Sequence, residues 1–388
     1  LVNSTLADSI IRPDEAMKAQ SRVKEHGEQT YIDKVKVRLT GRKYWAEVVN
    51  FGNTYVHIPD TIVRRHERLL EGGVWAQVTI EFRGEEEVGG KVRPFFITEF
   101  RPIQLASFSF EDYCDARSEL STDEWLDFLV RTIGFEPSHF DRRVKLLMLM
   151  RMAPMVQRNF NLVELGPRGT GKSYVYRDLS PYAILISGGK TTVANLFYNM
   201  NTHRVGLVGT WDVVAFDEVA GIRFSDRTAI QILKDYMESG SFSRGREEIV
   251  AEASMVFVGN INQPVEMLTR TSTLFHPLPE DLQDMAFIDR LHFYLPGWEM
   301  PKLQPEFFTD HYGFVVDYLA AAMRELRRRN YTDAFDPYFS LGNHLNTRDA
   351  RAVRRSVSGL VKLLHPDGDT TKEEVEAYLE LALEGRRR

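Results

Sequence analysis

The sequence predicts an α/β fold: a parallel-sheet core preceded by a small β-barrel and followed by helices. Three observations predict it. The run Gly166-Pro167-Arg168-Gly169-Thr170-Gly171-Lys172-Ser173 matches G-x-x-x-x-G-K-[ST]. It lies between an apolar stretch, Phe160–Leu165, that reads as a buried strand and Tyr174–Arg177, which can open a helix. From 160 to about 298, further apolar strands alternate with helical patterns, the arrangement of a parallel sheet. Between 30 and 104, short period-two stretches (Ile32–Leu39, Tyr44–Val49, Tyr55–Ile58, Val74–Phe82, Arg93–Phe100) are punctuated by glycine at 41, 52, 72–73 and 89–90. Five short strands with glycine turns point to an OB-like barrel.

In chain order, residues 1–28 carry a mixed-charge helical pattern and residues 29–104 form the barrel, with a short helix from Thr61 to Leu70 after its third strand. Residues 105–158 read as a helical linker, with Ser121-Thr-Asp-Glu124 as an N-terminal capping signal. Residues 159–300 are the α/β core, and residues 301–388 form a helical lid. In the lid, Arg348–Leu364 has an apolar face at Val353, Val357, Leu360, Val361 and Leu364. After a turn at His365–Thr370, the last helix opens on a Thr371…Glu374 capping box and buries Val375, Tyr378, Leu379, Ala382 and Leu383.

Composition narrows the function classes. The 388 residues suffice for two or three domains, and 43% hydrophobic with 27% charged residues describes an ordinary globular protein. A net charge of −6 means that any nucleic-acid site must be a local basic patch. A single cysteine, Cys114, leaves no internal disulfide and suits a reducing cytoplasm. No apolar run reaches membrane-spanning length and no signal peptide is visible, so no membrane partner is expected. The start at Leu1 and the end at Arg388, directly after a helix, read as cuts through a longer protein.

The glycine-rich loop carries the chemistry. Glycines let the backbone wrap around phosphates, with successive N–H groups pointing inward. Residues Gly166–Ser173 are therefore expected to hold ATP, with Lys172 on the β- and γ-phosphates and the Ser173 hydroxyl on Mg²⁺. A second apolar strand, Thr210–Phe216, ends in Asp217-Glu218. Carboxylates at the tip of a buried strand are costly without a cationic task. Asp217 is expected to hold a water on Mg²⁺ and Glu218 to polarise the attacking water. Downstream, Arg244-Gly245-Arg246 forms a hairpin tip between two extended arms, and Ser187–Thr192, with Lys190, is a second polar, basic loop. Both suit phosphate contacts better than an apolar peptide grip, which favours duplex DNA. Lys34, Lys36, Arg38, Arg42 and Lys43 give the barrel a candidate basic face, its alternative role being structural or oligomerising.

The order of these parts resembles AAA+ ATPases, and the MCM helicases among them. That resemblance implies that Asn260, ending the strand Met255–Asn260, orients the attacking water as sensor 1. It also implies that Arg290, in Phe287–Leu295, reaches a neighbouring subunit's nucleotide. Arg351 aligns best with sensor 2 and Arg354 next best, while the Arg244–Arg246 hairpin matches one that lines a ring channel. The segments Ile11–Ala16, Thr122–Leu126, Arg158–Ser173, Ser187–Asn199 and Ser356–Pro366 resemble the BrxL family, Lon-like AAA+ proteins of bacterial BREX phage-defence systems. Membership implies ring assembly, ATP hydrolysis, duplex DNA binding, other BREX proteins as partners, and a C-terminal domain related to Lon protease. That domain is expected to lie outside these 388 residues, so no Ser-Lys protease dyad is assigned within them. Two functions stay open: a DNA-encircling AAA+ ATPase, or an unfoldase serving a Lon-like protease domain.

Overall fold

The computed structural model describes residues 11, 15–41, 43–70, 73–84, 87–88, 91–102, 108–200, 204–224, 227–244 and 247–388. The chain divides into two compact units, Leu1–Ser107 and Phe108–Arg388.

The first unit opens with helix α1 (Ala16–His26) and continues through β1 (Glu28–Thr40), β2 (Lys43–Val48), β3 (Asn53–His57), a short helix at Asp60–Arg65, β4 (Val74–Phe82) and β5 (Phe95–Pro102). These strands close into a barrel in the order β1-β2-β3-β5-β4. Alternation along β1 turns Tyr31, Asp33, Val35 and Val37 inward, where the last two meet Val48, Val56 and Val78. Lys34, Lys36 and Arg38 occupy the other face, where Arg38 pairs with Glu47 at 2.8 Å. Asp33 is fully buried, which raises its carboxyl above the usual range. Its oxygens accept the backbone N–H groups of Lys34, Asn50 and Phe51, at 2.7, 2.8 and 2.8 Å, and so hold the β2–β3 turn.

The second unit begins with helices. Those expected to form a linker supply part of its core: Trp125, Leu129, Leu147 and Val156 pack with Leu162, Val213, Val256, Val353, Leu360 and Tyr378. Helix Thr122–Thr132 starts on a Ser121–Glu124 capping box, and the last helix, Lys372–Arg387, on Thr371–Glu374. The sheet strands are β6 (Leu162–Gly166), β7 (Ala183–Thr191), β8 (Val213–Phe224), β11 (Ser254–Asn260) and β12 (Phe293–Pro296), while β9 (Ser241–Arg244) and β10 (Glu247–Val250) pair as a separate hairpin. The sheet order is β12-β6-β11-β8-β7 and every pairing is parallel. Its central strands are apolar on both faces because both are covered. Phe197, Phe216, Leu233, Tyr236, Phe257 and Phe287 form the core on the second face.

Helices Val316–Leu326 and Thr347–Leu364 reach the approach to β6. There, the basic side chains of Arg327, Lys362 and Arg355 donate to the backbone carbonyls of residues 154–159. Arg327 Nη1 donates to Pro154 and Gln157 at 2.7 and 3.0 Å, Lys362 Nζ to Val156 at 2.9 Å, and Arg355 Nη1 to Asn159 at 2.7 Å. Burial, with Arg327, Arg158 and Arg355 around it, pushes Lys362 down to about 7. None of the described helices is long and apolar enough to cross a membrane.

Candidate functional site

The glycine-rich loop leaves β6 at Gly166 and enters helix Lys172–Asp178. Gly169 and Gly171 adopt φ of 80° and 75°, the left-handed region open to glycine. Four of the loop's carbonyls have hydrogen-bond partners. Gly166 accepts the Ile261 N–H at 3.0 Å and Gly169 the Leu303 N–H at 2.8 Å. Pro167 accepts Lys172 Nζ at 2.5 Å, and Thr170 accepts Arg151 Nη1 at 2.9 Å. In a trans peptide the N–H points opposite to the C=O, so the carbonyls held by Ile261, Leu303 and Arg151 also fix the direction of the amides that follow them. Lys172 is buried, and burial lowers its ammonium below the ordinary lysine value, with Glu164 and Asp217 acting the other way. Arg168 and Gly169 are exposed, Thr170 is buried, and Ser173 is half-buried on the helix's first turn.

Asn260 lies beside the loop, its Cα paired with that of Gly166 across β11 and β6. Asp217 and Glu218 lie on the next strand, β8. That strand does not end at the carboxylates, as its apolar run suggested, but continues to Phe224. Its pairing with β7 slips between Asp217 and Ile222. Glu218 takes φ of 48°, rare outside glycine, and its N–H donates to Asp217 Oδ1 at 2.9 Å. A left-handed residue inside a strand breaks the strict alternation of neighbours at Asp217 and Glu218. A conformation of this kind costs about 1–3 kcal/mol and persists only where the surrounding structure holds it.

Sequence reasoning missed three residues that hold the loop. Arg151 and Glu164 form a fully buried pair beneath it. Gly297 packs so closely that a Cβ on Gly166 would lie 2.3 Å from its carbonyl carbon. A glutamate inside an otherwise apolar strand was the one available signal.

Arg290 and Arg351 meet away from the loop's own hydrogen bonds. Both engage Glu238, at 3.6 and 3.3 Å, and Arg348 joins them at 2.8 Å. Arg354 turns instead to Asp333 and Asp336, at 3.2 and 2.8 Å. The β9–β10 hairpin pairs Arg244 with Glu247, leaving a two-residue connection. The backbone of Arg244 ends β9, that of Lys190 lies in β7, and Arg246 falls outside the described residues.

A family model described as "Lon-like protease BrxL-like, ATPase domain" matches residues 95–388. The chain belongs to the BrxL family. The N-terminal model of the same family, "BREX system Lon protease-like protein BrxL N-terminal", matches residues 1–82. The "Lon-like protease BrxL" of Bacillus cereus (strain H3081.97) is 55% identical over 391 residues, covering 100% of this chain and 58% of the relative. The protein of that name from Escherichia coli O9:H4 (strain HS) is 53% identical over 389 residues, covering 100% of this chain and 56% of the relative. The chain thus spans a little over half the length of these BrxL relatives.

Proposed function

We propose that this chain is the Mg²⁺-dependent ATPase portion of a BrxL protein, that its subunits assemble into an AAA+ ring, and that the ring encircles duplex DNA in BREX defence against phage. The observation that carries the ATPase reading is the loop at Gly166–Ser173, with the carbonyls of Gly166, Gly169 and Thr170 held by Ile261, Leu303 and Arg151 and with Asn260 beside it. Lys172 supplies a point charge for the phosphates. Ser173 and Asp217 offer a hydroxyl and a carboxylate, the hard oxygen donors that Mg²⁺ takes, and the bound ion would neutralise phosphate charge. Glu218 accepts a proton from the attacking water, and Asn260 orients that water. Arg290, from a neighbouring subunit, stabilises the developing charge.

The OB-like reading of the barrel and the lid reading of residues 301–388 belong to the same proposal. DNA as the substrate is supported by the Arg244-Gly245-Arg246 connection, whose composition suits phosphates. The printed name of the relatives, a Lon-like protease, supports the second reading, an unfoldase. Hydrolysis measured alone, with duplex DNA and with an unfolded protein separates the two. Stimulation by duplex is expected. Stimulation by unfolded protein alone would install the unfoldase reading, and no hydrolysis under any condition would overturn both.

A further inference from the structure

The mechanism proposed for Gly166–Ser173 makes no use of the charged pair lying beneath it. Arg151 precedes β6 on the chain and Glu164 sits in the middle of that strand. Their side chains are 2% and 0% exposed. The guanidinium grips the carboxylate through two bonds, Nε to Oε2 at 3.0 Å and Nη2 to Oε1 at 2.5 Å. A buried pair of this kind is weak evidence for stability, because desolvating two charges offsets their attraction. It therefore needs another reason to be there.

The third donor of the same guanidinium supplies one. Arg151 Nη1 reaches the Thr170 carbonyl at 2.9 Å. The Thr170–Gly171 peptide is able to turn over, because Gly171 follows it with φ of 75° and a glycine passes between its two φ basins at little cost. Anchoring the Thr170 oxygen fixes the opposite direction for the Gly171 N–H. The loop's other tied carbonyls are held by backbone N–H groups or by Lys172, which itself belongs to the loop. Arg151 differs from these: it is a rigid planar fork, clamped by Glu164, that reaches the loop from outside it.

We infer that Arg151, clamped by Glu164, is a positioning residue for nucleotide binding, setting the Thr170–Gly171 peptide so that its N–H faces the phosphates. This rests on the reading of Gly166–Ser173 as the nucleotide loop.

The test uses the full chain with Arg151→Met and Glu164→Leu introduced together. Exchanging a buried pair for apolar residues of similar volume tends to preserve or raise stability. It also removes one charge of each sign, so the field at Lys172 changes little. A merely structural pair would then leave nucleotide affinity alone. A positioning pair would lose the anchor, and affinity for a slowly hydrolysed ATP analogue should fall about ten- to a hundredfold, the worth of one charge-assisted hydrogen bond. Thermal melting shows whether the double variant is folded. If it is, at least fivefold weaker binding supports the inference and a smaller change overturns it.

Should the double variant not fold, Arg151→Lys decides by the same threshold. It keeps the charge beside Glu164 but cannot hold both carboxylate oxygens and the Thr170 carbonyl at once. Failure of the parent to bind the analogue would overturn the nucleotide reading itself. Parental binding with an unaffected variant overturns only the role of Arg151.

Discussion

Replacing Gly297 with alanine tests whether the loop's position depends on a residue that no motif contains. The strand β12 ends just before Gly297, whose N–H donates to the Leu165 carbonyl at 3.0 Å. A Cβ added there would lie 2.8 Å from the Leu165 oxygen, 2.9 Å from Gly166 Cα and 3.0 Å from Gly166 N. Carbon contacts settle at about 3.5–4.0 Å. All three atoms are backbone, so no side chain can swing aside, and β6 and β12 must part at their ends by about 0.5–1 Å. Overpacking of this kind costs about 1–3 kcal/mol. The displaced atoms begin the phosphate loop, and misplacement by about 1 Å costs on the order of a hundredfold in rate. Steady-state ATP hydrolysis, measured well below the variant's melting temperature, should therefore show kcat/KM reduced about ten- to a hundredfold in a protein that is still folded. A folded Gly297→Ala protein with parental kcat/KM would refute the reasoning.

Glu218→Gln should keep nucleotide binding and lose turnover, whereas Glu218→Gly should lose turnover while raising the melting temperature, because it relieves a φ of 48°; calorimetry and hydrolysis on the same samples check both. Arg290→Ala should leave binding intact and depress hydrolysis, and mixing it with Lys172→Ala subunits should restore part of the activity, since each spoils a different half of a shared site; no recovery after confirmed subunit exchange would count against action between subunits. Replacing Arg244 and Arg246 with glutamate should weaken duplex binding and flatten its dependence on salt, measured by titration at several ionic strengths, with ATP binding retained. Lys362 titrates near 7 in the fold against 10.5 as an ordinary lysine. Between those values the unfolded chain binds the extra proton, so stability should rise with pH across that window and the rise should flatten in Lys362→Met, as denaturant unfolding from pH 7 to 9 would show.

The parts of the fold that were legible in the sequence are those set by local pattern. Period-two stretches with glycine turns mark the five barrel strands, and the apolar run before Gly166 marks β6. The capping boxes at Ser121 and Thr371 are written in four consecutive residues. What was not legible depends on tertiary packing. Arg151 looks like any arginine ending a helix until β6 places Glu164 against it. The extension of β8 past Asp217 was hidden because two carboxylates interrupt its apolar pattern, while the slip in pairing that accommodates them leaves no compositional trace. The meeting of Arg290, Arg348 and Arg351 on Glu238 joins three separate stretches of chain. The resemblance to AAA+ proteins nominates Arg290 and Arg351, but neither Arg348 nor the carboxylate that all three share.

The closed barrel of the first unit also restricts how it can meet other molecules. An open sheet offers a row of unpaired amides and carbonyls along its rim, onto which any extended chain can add itself with little regard to sequence. In the order β1-β2-β3-β5-β4 the last strand returns to the first, β4 pairing with β1 along Glu28–Val35, and the rim is consumed along that seam, whereas β3 and β5 meet through the single pair His57 and Phe96. Recognition at the β1–β4 seam therefore has to be written in side chains. Side chains diverge one substitution at a time, so relatives can change what they recognise here while the barrel's backbone stays the same.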